Sequence, residues 1–322
     1  MKHFEFAVTD EYIGERIDKC IAEMYEDFSR SYIQKIIKDD LVKVCPFSIK
    51  EVSTNLDDIL KKVKGSYILK EGDFVSFDTP DSIIPDIVPE YIPLDILYED
   101  DDVLVVNKPK GMVVHPAPGH YSGTLVNALM YYMINTSGES NGLSGINGVL
   151  RPGIVHRIDM NTTGSLIICK NDKAHISIAN QLKDHSINRL YRAIVYGIID
   201  EDEGTINKPI GRNDKDRKKM CVNAQNSKNA VTHYRVLKRF EKYTYIECKL
   251  ETGRTHQIRV HMASIGHPVL GDDVYSDRKC QFKLEGQTLH AMTLGFMQPS
   301  TDEYVETIAP LPDYFENLLK IL

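Results

Sequence analysis

Apolar residues recur along this chain with two different periods. Phe4, Phe6 and Val8 alternate with polar neighbours, as in a short half-buried strand. Ile17, Ile21 and Met24 lie at helical spacing within residues 15–25. Ser29 reads as the N-cap of a second helix over 31–38, with Tyr32, Ile33, Ile36 and Ile37 as its apolar residues. Val42 and Val44 predict a strand, and the turn Glu71-Gly72-Asp73 leads into another over 74–77. The polar, Lys- and Asp-rich stretch 45–64 reads as an excursion from this small unit.

Pro80, Pro85, Pro89 and Pro93 then follow at close intervals, which suits a stiff extended linker and neither a helix nor a central strand. The expected layout is a first domain at 1–80, a linker at 81–93 and a second domain at 94–322. Beyond the linker, apolar and β-branched runs predict strands over 103–106, 166–169, 192–197, 232–237, 244–250 and 255–261. Helices are expected over 124–134, 172–184 and 312–321, and a Gly-, Ser- and Asn-rich loop over 135–148. The expected class is α+β, without internal repeats.

Composition narrows the function classes. The 322 residues are 42% hydrophobic and 26% charged, enough to bury a core and unlike a disordered chain. No run nears the roughly 18 apolar residues of a membrane span. The N-terminal residues show neither a signal peptide nor a transit peptide pattern, so the expected location is the cytoplasm. Six scattered cysteines (20, 45, 169, 221, 248 and 280), with no C-x-x-C, argue for reduced thiols and against a cysteine zinc site. Net charge is −7, yet its distribution is uneven. Residues 1–90 hold 12 Lys and Arg against 19 Asp and Glu, whereas residues 205–260 hold 14 against 5. A local basic surface is therefore compatible with the acidic total, as is a solvated loop whose acids lie elsewhere in space.

The segment 151–170, RPGIVHRIDMNTTGSLIICK, sets His156, Arg157 and Asp159 between a Pro-Gly turn and an apolar strand, a rigid mount for one carboxylate. Alone, H-R-x-D reads more readily as a structural Asp–Arg pair capping a turn. In ETGRTHQIRVH (251–261), read as a strand, Arg254 and His256 face one way and Gln257, Arg259 and His261 the other, so Arg254 becomes the candidate partner for a carboxylate. Two histidines five apart do not share a helix face, and no H-E-x-x-H occurs, so no metal site is expected. Tyr191, in RLYRA, offers a flat face for a nucleobase or is an ordinary strand tyrosine. NKPKGMVVHP (107–116) is a phosphate-binding turn or simply a tight loop. Nucleophile-elbow, P-loop and dinucleotide fingerprints are all absent.

Taken in order, NKPKGMVVHP (107–116), RPGIVHRIDMNTTG (151–164), RLYRAIVYG (189–197), VTHYRVL (231–237) and LETGRTHQIRVHMASIGHPVLGDDVY (250–275) resemble the RluA/RluD class of RNA pseudouridine synthases. The resemblance covers most of 91–300. It implies a catalytic domain with a mixed, largely antiparallel sheet flanked by helices. SRSYIQKII (29–37) and LVKV (41–44) resemble the small αL RNA-binding domain that precedes it in the RluD-like branch. Carried over, Asp159 matches the catalytic aspartate, Tyr191 the tyrosine that stacks on the flipped base, and Arg254 the basic partner of the aspartate. Arg157 matches the arginine that enters the RNA stack in place of the target uridine. His156, Thr163, Lys108, His115, His256, Gln257 and Arg259 are the further candidates for substrate contact within the matched runs. Lys208 and Arg212 belong to the basic stretch, and Arg30 and Lys35 to a basic helix face of the first domain. Met160-Asn161 departs from the charged pair more usual beside the aspartate.

The implied reaction rearranges atoms without adding any, so no metal and no cofactor is expected. The expected partner is RNA, most of all large-subunit ribosomal RNA, free or within an assembling particle, and the protein is expected to act as a monomer. Transfer RNA as substrate and a non-catalytic role in ribosome assembly are the competing readings.

Overall fold

The computed structural model describes residues 2–25, 30–46, 60–79, 87–117, 119–137, 143–144, 152–213, 216 and 219–322. The chain divides into two compact units, 1–83 and 84–322. The expected N-cap Ser29, the prolines Pro80 and Pro85, and most of the stretches 45–64 and 135–148 lie outside the described residues.

In the first unit, the alternation at the N-terminus makes β1 (Lys2–Ala7), which pairs antiparallel with β4 (Asp73–Thr79). The sheet continues through β2 (Val42–Pro46) to the two-residue β3 (Lys61–Lys62), in the order β1-β4-β2-β3. Helices α1 (Ile17–Met24) and α2 (Arg30–Lys38) supply Ile17, Ile21, Ile33 and Ile36, which pack with Val42, Val75 and Phe77. Phe4 stacks on its cross-strand partner Phe77 with ring centroids 5.0 Å apart. Asp18, in the first turn of α1, is fully buried. Burial alone would raise its pKa, but hydrogen bonds from Arg16, Gln34 and Arg30 bring it down to about 2.

The second unit is α+β. Its strands are β5 (Ile96–Glu99), β6 (Val103–Lys108), β7 (Thr163–Cys169), β8 (Asn188–Tyr196), β9 (Glu203–Asn207), β10 (Ile210–Arg212), β11 (Met220–Val222), β12 (Val231–Arg239), β13 (Tyr243–Leu250), β14 (Leu289–Met297) and β15 (Tyr304–Ile308). Among the described residues they form a nine-stranded sheet, β5-β6-β7-β14-β8-β13-β12-β9, with β15 also on β14. The small ribbon β10-β11 stands apart. The sheet is mixed and largely antiparallel, with β7–β14 its one parallel pairing among the described residues.

The continuous apolar runs of β6 and β7 follow from burial on both faces. Leu104, Val106, Leu166 and Ile168 face one core with Leu125, Leu129 and Met133 of α3 (Leu125–Ser137). Val103, Val105, Ile167 and Cys169 face another with Ala174 and Ile178 of α4 (Asp172–Lys183). On β8, Ala193 and Val195 join the first core, while Ile194 and Tyr196 pack with Phe315 and Leu318 of α6 (Asp313–Ile321). All six cysteines are free thiols, four of them buried.

Two sequence expectations fail here. The stretch expected as a strand over 255–261 contains the start of a helix, α5 (Gln257–Ser264). Every side chain from Gln257 to Met262 is buried, so no polar face marks the helical period, and Ile258 and Val260 supply a misleading strand bias. Conversely β14, central to the sheet, is absent from the expected strands. Its sequence LHAMTLGFM is mostly Leu, Ala and Met, which favour helices in isolation, and tertiary pairing overrides that preference. Strands β5, β9, β10, β11 and β15 are further additions.

Candidate active site

Residues 155–162 form the turn between an isolated bridge at Ile154 and β7, and they carry Asp159. The turn is tied at several points. The Ile167 amide donates to His156 Nε2 at 3.1 Å, and the Thr162 amide to the Asp159 carbonyl at 3.0 Å. Lys108, at the end of β6, is fully buried, and its Nζ donates to the carbonyls of Pro109, Met112 and Met160, each at 2.9 Å. The residue after Asp159 is thereby anchored, with one acceptor for each ammonium proton. Burial pushes the Lys108 pKa down to about 7, against the raising influence of the Asp159 charge. Gly164, with φ +108°, lies so close to Ala291 of β14 that a Cβ would collide with its carbonyl.

From the other side, α5 presents Arg259. Its NH1 donates to Asp159 Oδ2 at 2.9 Å, while Nε and NH2 grip both oxygens of Asp272 at 2.7 and 2.9 Å. Asp272 is fully buried and also accepts from the amides of Val274 and Tyr275. Arg259 is thus held as a fork by a carboxylate behind it and reaches the aspartate in front, the geometry that suits arginine and not lysine. Burial works against its charge, but the two carboxylates prevail and raise its pKa. The Tyr275 ring lies under the guanidinium at 5.1 Å.

His256 is the other neighbour of Asp159, with Nε2 3.8 Å from Oδ1. It sits just before α5 in a left-handed conformation, φ +56°. The Met220 amide donates to the Tyr275 hydroxyl, which is also hydrogen-bonded to His256 Nδ1 at 2.7 Å. Burial lowers the His256 pKa, against the opposing pull of Asp159.

Asp159, His256 and Arg259 line a cleft of about 570 Å³. Arg157, Lys183, Arg189, Arg254 and Arg259 reach it, and among the described lining residues Asp159 is the one acid. Tyr191, 8% exposed, contributes an aromatic wall from β8, and burial raises its pKa so that the phenol stays neutral. The arrangement fits a polyanionic substrate that presents a planar group to one carboxylate.

Several expectations need correction. Arg254 lines the cleft, but its Nε donates to the Asn229 carbonyl at 2.9 Å, and the ion-pair partner of Asp159 is Arg259. The helical turn of α5, in place of the expected strand, brings Arg259 and not Arg254 to the aspartate. Lys108 and Thr163 are buried and do not line the cleft; Thr163 Oγ1 is hydrogen-bonded to His290 at 2.8 Å. His156 and Gln257 line the cleft, yet each is occupied by the fold. His156 accepts from β7, and burial with the Arg189 charge lowers its pKa to about 3, so it is neutral. Gln257 accepts from Thr252 Oγ1 and the Arg254 amide and donates to the Val231 carbonyl and Thr232. His115, Lys208 and Arg212 do not line the cleft. Lys208 Nζ donates to Ser264, and Arg30 and Lys35 belong to the first unit, where Arg30 is bound to Asp18. Arg157 is exposed and lines the cleft. Asp272 and Tyr275 fell within a matched run, but nothing in GDDVY tells which aspartate is buried.

Residues 102–264 match the family described as RNA pseudouridylate synthase. The chain is 49% identical to the uncharacterized RNA pseudouridine synthase YlyB of Bacillus subtilis, over 100% of this chain and 99% of that protein. It is 41% identical to the ribosomal large subunit pseudouridine synthase D of Zymomonas mobilis, over 99% and 97% of the two chains. Among solved structures it resembles human RNA pseudouridylate synthase domain containing 1, with TM-score 0.55 and 27% identity over 72% of this chain and 95% of that one. By these matches and by the motifs that carry Asp159 and Tyr191, the chain belongs to the RluA/RluD type of the RNA pseudouridylate synthase family.

Proposed function

We propose that this protein converts specific uridines of large-subunit ribosomal RNA to pseudouridine, with Asp159 as the reacting carboxylate. The observation that carries the reading is the one acid among the described residues of a basic cleft, held in place by the buried Arg259–Asp272 pair. The substrate class follows its relatives: the Zymomonas mobilis protein and its Haemophilus influenzae counterpart are named ribosomal large subunit pseudouridine synthase D.

The reaction breaks the bond from N1 to C1′, turns the uracil and joins C5 to C1′. N1 ends with a proton and C5 loses one, so atoms balance without a co-reactant. Arg259 occupies Oδ2 of Asp159, and Oδ1 accepts no hydrogen bond among the described residues, which leaves one oxygen to act on the nucleotide. Tyr191 offers the face against which the detached base is retained, and confinement keeps the rejoining step unimolecular. The uridine must leave the stack to reach Asp159, at a cost of a few kcal/mol, and Arg157 is the residue placed to fill the gap. The first unit, two helices on a four-stranded sheet, is read as the αL-type RNA-binding module. The protein is taken to act as a monomer in the cytoplasm, on free RNA or an assembling subunit.

The test is a pseudouridine map. Unmodified large-subunit ribosomal RNA and a transfer-RNA pool are each incubated with the protein, then probed by carbodiimide labelling and primer extension. New stops in the ribosomal RNA are expected. Stops confined to transfer RNA would reassign the substrate.

A further inference from the structure

Arg189 is a cleft-lining cation to which the reaction above gives no role. It stands at the start of β8, two residues before Tyr191, and both side chains are buried and line the cleft. Arg189 is only 6% exposed, yet among the described residues no carboxylate lies within 4.0 Å of its guanidinium. NH2 donates to the Glu251 carbonyl at 3.2 Å, and Nε is buried without a hydrogen-bond partner.

A buried arginine without an acid is costly, because it cannot shed its proton as a lysine can. Lys108, equally buried, has three carbonyls and a pKa brought down by burial. Arg259 has two carboxylates, and Arg192 has Glu247 at 2.7 Å. The fold also makes room for Arg189: a Cβ on Gly253 would lie 2.9 Å from its NH1. Thus a side chain there would displace the guanidinium. Lys183 and His185, at the end of α4 and just past it, line the same cleft, while Asp159, its one acid among the described residues, is taken by Arg259.

We propose that Arg189 binds a backbone phosphate of the RNA strand next to the flipped uridine, an anion site that completes the cleft. The proposal rests on RNA as substrate and deepens that reading. A phosphodiester presents two terminal oxygens and one full charge, which match a guanidinium bidentately. Uracil, neutral and planar, suits the tyrosine face instead. Two residues along a strand, about 6.6 Å, suits a base on Tyr191 with its own backbone at Arg189.

The experiment uses the full chain and synthetic RNAs in which each phosphate flanking the target uridine is replaced singly by a neutral methylphosphonate. Binding and single-turnover rate are measured for the parent, Arg189→Gln and Arg189→Lys. At one position the replacement should weaken binding by the parent about tenfold or more. Arg189→Gln should lose a similar factor on ordinary RNA and nothing further on that substituted RNA. The slope of log affinity against log salt should fall by about 0.7 in Arg189→Gln and hold in Arg189→Lys. Equal sensitivity of parent and Arg189→Gln at every position, with an unchanged slope, would overturn the proposal. So would a loss of rate with the slope unchanged, which would assign the guanidinium to the base. If Arg189→Gln does not fold, a parent insensitive at every flanking position overturns it equally. Binding is read without turnover, so a protein that forms no pseudouridine would defeat the isomerase reading separately.

Discussion

Arg259 joins the reacting carboxylate to the protein core, and Arg259→Met separates its two roles. The substitution removes three hydrogen bonds at once, one to Asp159 at 2.9 Å and two to Asp272 at 2.7 and 2.9 Å. Asp272 is left fully buried with a charge and, among the described residues, the amides of Val274 and Tyr275 to oppose it. Breaking a buried pair in this way costs about 3–5 kcal/mol. For a domain of this size that corresponds to a Tm lower by about 6–20 °C. Asp159 also loses its orientation, worth about a hundredfold in rate. Tritium released from RNA labelled at uridine C5 reports turnover directly, since the C5 hydrogen leaves in the reaction. Adding Asp272→Asn to Arg259→Met keeps an acceptor for the two amides and removes the buried charge. Most of the lost stability should return and the activity should not. A single variant that melts within 2 °C of the parent and turns over within about threefold would refute the reasoning.

Three further outcomes follow from the same geometry. His156 is held neutral with a pKa near 3, below its unfolded value of 6.5. Its stabilising share is full above pH 6.5 and lost as pH falls towards 3, so denaturant midpoints should drop across that window, and His156→Gln should flatten the drop; an identical pH profile in the variant would contradict it. Gly164→Ala drives a Cβ into the Ala291 carbonyl at a positive φ, and urea unfolding should show a loss of about 2–4 kcal/mol; a loss under about 0.5 kcal/mol would show that the two strands part easily. Arg157→Ala should slow single turnover on structured RNA and regain part of the rate when the target uridine is already unpaired. No regain would remove Arg157 from base flipping.

What the sequence revealed and what it concealed divide along physical lines. Local periodicity located β1, α1, β6, β7 and α4, because those segments show either alternation or runs buried on both faces. It failed for α5, buried all round, and for β14, whose residues prefer helix until neighbouring strands claim them. Asp159 and Tyr191 were singled out by the order of the matched runs, since each alone reads as readily as a structural residue. The partner of Asp159 was not, since choosing between Arg254 and Arg259 depends on whether five residues rise as a strand or wind as a helix. Lys108 and Thr163 look like surface chemistry in one dimension and are interior props in three. Arg189 was visible as a residue, but its unmet charge appears only when the strands are assembled.

The central claim is that one carboxylate, Asp159, performs the chemistry in a cleft whose other groups bind and position. Asp159→Asn preserves size and leaves an oxygen to accept from Arg259, so fold and RNA affinity should remain close to those of the parent. The decisive measurement is single-turnover pseudouridine formation by parent and Asp159→Asn at saturating protein, with binding of the same RNA measured in parallel. The account predicts full binding and no detectable product from the variant. Product formed within about tenfold of the parent rate, a difference of only about 1.4 kcal/mol in the barrier, would contradict it.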